Sequence, residues 1–160
     1  MTVATYLRTS FPNPDREYRD GKLVLRSNPD TLHSRAQGLV GAFFGERRHS
    51  LHIYPALSVR VKLRDALYLV PDVAVFYPHE PQERFPATPP FVAIEILSPD
   101  DRMADVRNKL GEYRTWGVTH VWLVDPHSKR MYTCDSELVE VSILRIPELG
   151  VEVTPADIFE

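Results

Sequence analysis

Two carboxylic acids stand where their neighbours are apolar. Asp72 falls within Leu69-Val70-Pro71-Asp72-Val73-Ala74-Val75-Phe76, and Glu95 within Phe91-Val92-Ala93-Ile94-Glu95-Ile96-Leu97. Burying an ionised carboxylate without a partner costs several kcal/mol, so each acid must be protonated, paired with a base or bound to a cation. If the two segments are neighbouring strands, the acids can share a face, where their repulsion raises one pKa or recruits a divalent metal. Oxygen donors suit magnesium, whereas zinc would require His or Cys. The plainer explanations are a salt bridge to a core arginine or, for Asp72, a place at the start of its strand, because Pro71 cannot donate to a ladder. The pattern alone leaves these open.

A third group lies downstream. Asp105 and Lys109 are spaced i, i+4, and as a surface pair they would contribute only about 0.2–0.5 kcal/mol. Alternatively Lys109, one position before the apolar Leu110, leans back toward the strand ends and presents its ammonium to the acids. Ser98-Pro99-Asp100-Asp101 reads as a helix N-cap with Pro at the first helical position and acids against the dipole. His33 is a candidate accessory residue, His49 and His52 read as surface, and Trp116 and Trp122 as core. There is no Gly-rich phosphate loop, nucleophile elbow or zinc-protease motif, which argues against phosphate-loop nucleotide hydrolases and serine hydrolases.

The elements that would position these residues follow from periodicity. A short helical start is expected at Val3–Leu7, and the Asp20-Gly21 turn signal predicts a hairpin over Glu17–Arg26. Leu32, Ala36, Leu39, Val40, Phe43 and Phe44 recur at helical spacing within Thr31–Arg48. Leu57–Leu63 alternates as a half-buried strand. Pro71–Tyr77 and Phe91–Leu97 have the length of central strands. Between them five prolines crowd residues 78–90, a stiffened spacer between paired strands. Met103, Val106, Leu110 and Tyr113 mark a helix ending at Gly117. Val118–Asp125 reads as a buried strand, Met131–Cys134 with Leu138–Ile146 as a final hairpin, and Pro155–Phe159 as a closing helical turn. This order implies a mixed sheet flanked by helices, an α/β or α+β fold.

Composition sets the frame. With 160 residues, 43% hydrophobic and 26% charged, the chain is expected to form one domain over 1–160 with a core of its own. A single cysteine, Cys134, forbids an internal disulfide and predicts a reducing, cytoplasmic setting. No apolar run approaches the roughly 18–20 residues of a membrane span, and Met1–Ser10 lacks the apolar stretch of a signal peptide. Net charge is −3, no reason in itself to expect nucleic-acid binding. However, residues 131–160 hold seven acids and one base, which leaves 18 bases against 15 acids in residues 1–130 and allows a locally basic face.

Several fragments also recur in a family order: Glu17-Tyr18-Arg19-Asp20-Gly21-Lys22-Leu23-Val24, His33, Pro71-Asp72-Val73-Ala74-Val75, Glu95-Ile96-Leu97-Ser98-Pro99, Asp105 with Lys109, and Tyr113 through Gly117-Val118 to Val121-Trp122-Leu123-Val124-Asp125-Pro126. In order and spacing they resemble the Uma-two family of "putative restriction endonucleases", within the PD-(D/E)XK nuclease superfamily. The resemblance implies a restriction-endonuclease-like core, a mixed β-sheet flanked by helices with an N-terminal β-hairpin. It implies Asp72, Glu95 and the backbone carbonyl of Ile96 as ligands for Mg2+ or Mn2+. Lys109 would orient or deprotonate the attacking water, and Glu17 would be a further ligand or the acid that positions the lysine. DNA is the implied partner and a homodimer the implied assembly. The chain departs from the pattern at two places. The superfamily lysine usually follows the second acid by two residues, where this chain has Leu97, so catalysis would depend on a lysine moved to the next helix. Arg16 stands before Glu17 where relatives more often carry an aromatic. The alternatives are a catalytically silent nuclease-fold protein that binds nucleic acid or a protein partner, and a purely structural role in oligomerisation.

Overall fold

The computed structural model describes all 160 residues. Helix α1 (Val3–Arg8) is capped by Thr2, and the turn at Asp20-Gly21 joins β1 (Glu17–Arg19) to β2 (Lys22–Val24). Helix α2 (Thr31–Glu46) starts at Asp30, whose carboxylate accepts from the His33 N–H, and a short α3 (Arg48–Leu51) follows. Next come β3 (Tyr54–Leu57), β4 (Val61–Arg64), β5 (Leu67–Leu69), β6 (Val73–Phe76) and β7 (Val92–Ile96). The last two are the expected paired strands around the proline-rich spacer, and every residue in them is buried.

Helix α4 (Met103–Trp116) ends at Gly117, whose φ of 117° is open to glycine at little cost. It carries the chain over to β8 (His120–Asp125), which lies parallel to β7, and a parallel pair requires such a crossover. Then β9 (Arg130–Cys134), β10 (Leu138–Val141), β11 (Leu144–Ile146), β12 (Val151–Val153) and α5 (Pro155–Phe159) complete the chain.

The central sheet has the order β10-β9-β8-β7-β6-β3, and a second, antiparallel sheet has the order β2-β1-β5-β4. Side-chain alternation along β6 and β7 divides the core between two faces. Val73, Val75, Ile94 and Ile96 pack with Phe44 of α2, Trp122 and Ile158 of α5, while Ala74 and Ala93 pack with Leu110 and Tyr113 of α4 and Leu69 of the second sheet. Burial of each large apolar side chain contributes about 1.5–3 kcal/mol. The architecture is thus the expected mixed α/β fold with an N-terminal hairpin.

Four local expectations are corrected. The strand expected over Leu57–Leu63 is two strands in different sheets, broken at Ser58, which takes a left-handed φ of 50°. Alternation survives the break because Leu57 is 49% exposed while Val61 is fully buried in the second sheet, so a period-two pattern spans two unrelated faces. Leu138–Ile146 likewise divides after Val141, and its second part pairs with β12 rather than with β9. On α2, Leu32 is exposed and the neighbouring His33 is buried in its place, because the helix turns its first residues toward the polar end of the sheet. Finally, Ser98 does not cap α4: the Ser98 N–H donates to Asp101, the two residues close a tight turn, and the helix starts after Arg102 without a side-chain cap. Strand β5 has no counterpart in the sequence reading.

Candidate functional site

Register brings the two acids together. Val73 lies opposite Ile94 in the antiparallel β6–β7 pair, and one further step along the same register sets Asp72 across from Glu95. Both side chains share the face of Ala74 and Ala93, toward α4. Each is buried, with relative exposures of 3% for Asp72 and 8% for Glu95. Asp72 Oδ2 accepts the Ile96 N–H at 2.7 Å, so its carboxylate caps the end of the pairing. The Leu97 N–H turns the other way, to Val124 O, and the N–H and C=O of one strand residue point alike. The Ile96 carbonyl therefore lies on the Asp72 side of its strand.

Helix α4 delivers the amine. Lys109 precedes the fully buried Leu110 and stands one turn before Tyr113, so helical rotation aims both polar ends at Glu95. Lys109 Nζ lies 2.6 Å from Glu17 Oε2 and 3.0 Å from Glu95 Oε1, and it donates to Val70 O at 3.3 Å. The Tyr113 hydroxyl donates to Glu95 Oε1 at 2.8 Å. Glu17 Oε2 also accepts the Val70 N–H at 2.7 Å, which fixes the carboxylate between backbone and ammonium. The geometry is that of an acid holding the lysine in place.

Asp105 does not join this group. It is exposed on the rim of the cleft and forms no ion pair with Lys109, so the expected i, i+4 surface pair gives way to contacts with Glu17 and Glu95. The helix turns Lys109 inward, where two carboxylates in a drier medium attract it more strongly than one in water.

Two further side chains hold Asp72. Arg26, on the irregular segment between β2 and α2, places Nη2 2.8 Å from Asp72 Oδ1, and His33 places Nε2 3.4 Å from the same oxygen. His33 Nδ1 is buried without a partner. His33 carried a signal in the sequence, as a polar residue beside an apolar helix face. Arg26 and Tyr113 were not singled out as site residues. For Tyr113 the signal was present in its one-turn spacing from Lys109. Nothing local marks Arg26.

Electrostatics separates the two acids. Burial drives the Glu95 carboxyl up, the Lys109 charge opposes, and the charges of Asp72 and Glu17 add to the rise, which takes it to about 8. Burial also pushes Asp72 up, but the His33 hydrogen bond and the Arg26 charge outweigh it and hold the carboxyl below its ordinary value. Burial opposes the charged form of Lys109, yet Glu17 and Glu95 raise its pKa overall. One acid is thus held ionised and the other near the point of protonation, the pattern expected of repelling carboxylates on one face.

These residues floor a cleft of about 460 Å3. Its lining includes six carboxylates (Glu17, Asp72, Glu95, Asp100, Asp101 and Asp105) against Arg19, Arg26, Arg102 and Lys109, so the basic balance of residues 1–130 is not concentrated here. No three His, Cys, Asp or Glu side chains converge as a metal-holding group. The donor set is instead two carboxylates and a carbonyl. It suits a hard cation that keeps several waters, and Glu95 Oε1 takes both polar contacts, leaving Oε2 without a hydrogen bond on a side chain still 11% exposed.

Comparison with known proteins supports the fold. A solved structure described as "a putative nuclease belonging to DUF820" from Anabaena variabilis superposes with a TM-score of 0.83, covering 99% of this chain and 97% of that one at 22% sequence identity. At that identity the likeness concerns the fold. No curated protein matches the chain. No helix is long and apolar enough to cross a membrane. The sequence matches the Uma2 family, "Putative restriction endonuclease", over residues 3–160, and the chain therefore belongs to that family.

Proposed function

We propose that the protein is a metal-dependent endonuclease that hydrolyses phosphodiester bonds in DNA. One observation carries this reading: Asp72 and Glu95 face each other across adjacent strands on the same buried face, with Lys109 Nζ 3.0 Å from Glu95. Asp72, Glu95 and the Ile96 carbonyl would hold Mg2+ or Mn2+, which would stabilise charge on the scissile phosphate and lower the pKa of a bound water. Lys109 has its three donors on Glu17, Glu95 and Val70, so it has none left to orient or deprotonate a water and serves as a fixed cation that offsets phosphate charge. Glu17 and Tyr113 position Lys109 and Glu95, while His33 positions Asp72. A single such site cuts one strand, so cutting both strands together takes two copies of the chain.

The test is nicking of plasmid DNA with Mg2+ or Mn2+, against Ca2+ as a binding-only control. Cleavage that disappears in Asp72→Asn and in Ca2+ supports the reading. A second reading, a nuclease-fold protein that binds nucleic acid or a protein partner without cutting, is favoured by the ion pairs that Arg26 makes with Asp72 and Lys109 with Glu17 and Glu95. Retained DNA binding with no cleavage in any of the three ions would select it.

A further inference from the structure

The cation nearest the candidate metal ligands is one that the chain supplies itself. Arg26 Nη2 sits 2.8 Å from Asp72 Oδ1, and His33 takes the same oxygen at 3.4 Å. Asp72 Oδ2 meanwhile accepts the Ile96 N–H, so an ion on its remaining lone pair would sit close to the Arg26 charge. A carboxylate oxygen has two lone pairs, so Oδ1 has none left for an ion while both partners stay. Arg26 is also permanently charged, and a guanidinium cannot be neutralised to make room for a second cation. The floor of the cleft otherwise fits an ion: Glu95 Oε2 is without a hydrogen bond, and the Ile96 carbonyl lies on the same side of the strand. The obstacle is one side chain.

That side chain is also the one able to leave. Asp72, Glu95 and Lys109 are set by β6, β7 and α4, whereas Arg26 belongs to residues 25–30, which form neither helix nor strand. Its neighbour Ser27 is bonded to Asp101 on the cleft lining, so the backbone stays at the mouth while the long side chain turns. Its side chain is only 12% exposed, and a single charge-assisted hydrogen bond from Nη2 holds it on Asp72. Once displaced it would remain in a cleft otherwise rich in carboxylates, a few ångströms from where a phosphate would lie, with a planar fork suited to phosphate oxygens.

We infer that Arg26 and a divalent cation compete for Asp72, and that the displaced guanidinium becomes a ligand for the substrate phosphate. This rests on the metal-dependent reading above. It predicts two couplings: Arg26 weakens metal binding by the free protein, and it strengthens DNA binding only when the ion is present.

Both are read on the full chain. Mn2+ affinity is measured by electron paramagnetic resonance or calorimetry for wild type, Arg26→Gln and Arg26→Lys, with circular dichroism to check folding. Removing the competitor is expected to tighten Mn2+ binding at least about tenfold in Arg26→Gln, with Arg26→Lys between the two, since ammonium makes a shorter and less directional contact. DNA affinity in Ca2+ is expected to fall at least about fivefold in Arg26→Gln, with no change in EDTA, a loss consistent with one charged phosphate contact. If Arg26→Gln does not fold, Arg26→Lys carries both measurements. Unchanged or weaker Mn2+ affinity, or an equal loss of DNA binding with and without Ca2+, overturns the inference. If Asp72→Asn abolishes Mn2+ binding while the Arg26 variants match wild type, the inference alone fails. If no protein binds Mn2+, the metal-dependent reading fails with it.

Discussion

Two clusters of buried charge lie in this fold, and they differ in how completely their donors and acceptors are used. Near α1, Arg60 makes a two-pronged pair with Asp15, with Nε and Nη2 both at 2.7 Å, and two of its other three donors reach Tyr6 O and Thr9 O at 2.9 Å. The guanidinium also lies 4.2 Å from the centre of the Tyr6 ring. Four of the five guanidinium donors and both carboxylate oxygens are paired. Around Asp72 more is left open: Glu95 Oε2 makes no hydrogen bond, His33 Nδ1 is orphaned, and burial, aided by the charges of Asp72 and Glu17 and opposed by Lys109, raises the Glu95 carboxyl to about 8. A closed pair stabilises a fold, while an open cluster keeps capacity for a ligand and pays for it in stability.

The comparison can be broken from either side. The largest effect is expected for Asp72→Asn, which should lower plasmid cleavage by about 1000-fold or more while thermal unfolding shows the fold retained. Lys109→Ala should also abolish cleavage, and it should lower stability too, because Glu17 is left buried without its base.

Arg60→Ala should do the reverse. With Asp15 left half-buried without its base and the Thr9 carbonyl without its donor, stability should drop by about 2 kcal/mol in urea unfolding, with cleavage per folded molecule unchanged. If cleavage falls with Arg60→Ala, the closed cluster is not merely structural.

Acid sharpens the contrast. Burial raises the Asp15 carboxyl, but the Arg60 hydrogen bond and the Arg16 N–H outweigh it, so its folded pKa lies below the ordinary value. A carboxyl depressed by folding adds stability above its unfolded pKa, near 4, and loses that contribution as pH falls through the folded value. Wild type should therefore lose stability below about pH 4 more steeply than Arg60→Gln, as followed by urea midpoints from pH 6 to 3. Equal slopes would mean the pair adds nothing that titrates.

The smallest effect is expected at Tyr113→Phe. One hydrogen bond to Glu95 is lost while Lys109 stays on the same carboxylate, so stability should change by about 1 kcal/mol and kcat by about tenfold, with KM for DNA unaltered. A change in KM alone would place the hydroxyl in binding rather than in positioning Glu95.

Local chemistry was legible wherever a periodic signal met a single environment. Helix α4 reads from Met103 to its stop at Gly117, and β6 and β7 read from their apolar runs. Periodicity failed where the chain changed partners without changing rhythm. At Ser58 the alternation runs on although the strand does not, and after Val141 a continuous apolar pattern serves two sheets. The same limit holds in the candidate site. The acids announce themselves because charge is rare in an apolar run, while Arg26 stands where the apolar Leu23-Val24-Leu25 gives way to the polar Ser27-Asn28, a boundary at which a base carries no signal.

By itself, then, the amino-acid order determined that Asp72 and Glu95 must be compensated, that an amphipathic helix follows the second acid, and that its spacing puts Lys109 and Tyr113 on one side. Tertiary structure alone decided which groups do the compensating. Glu17 reaches Lys109 across 92 residues and Arg26 reaches Asp72 across 46, because the second sheet docks β1 and the segment after β2 over the end of β6. Sequence spacing governs neighbours within a helix or strand through fixed backbone geometry. Partners from separate elements meet only where burial of apolar faces sets those elements side by side.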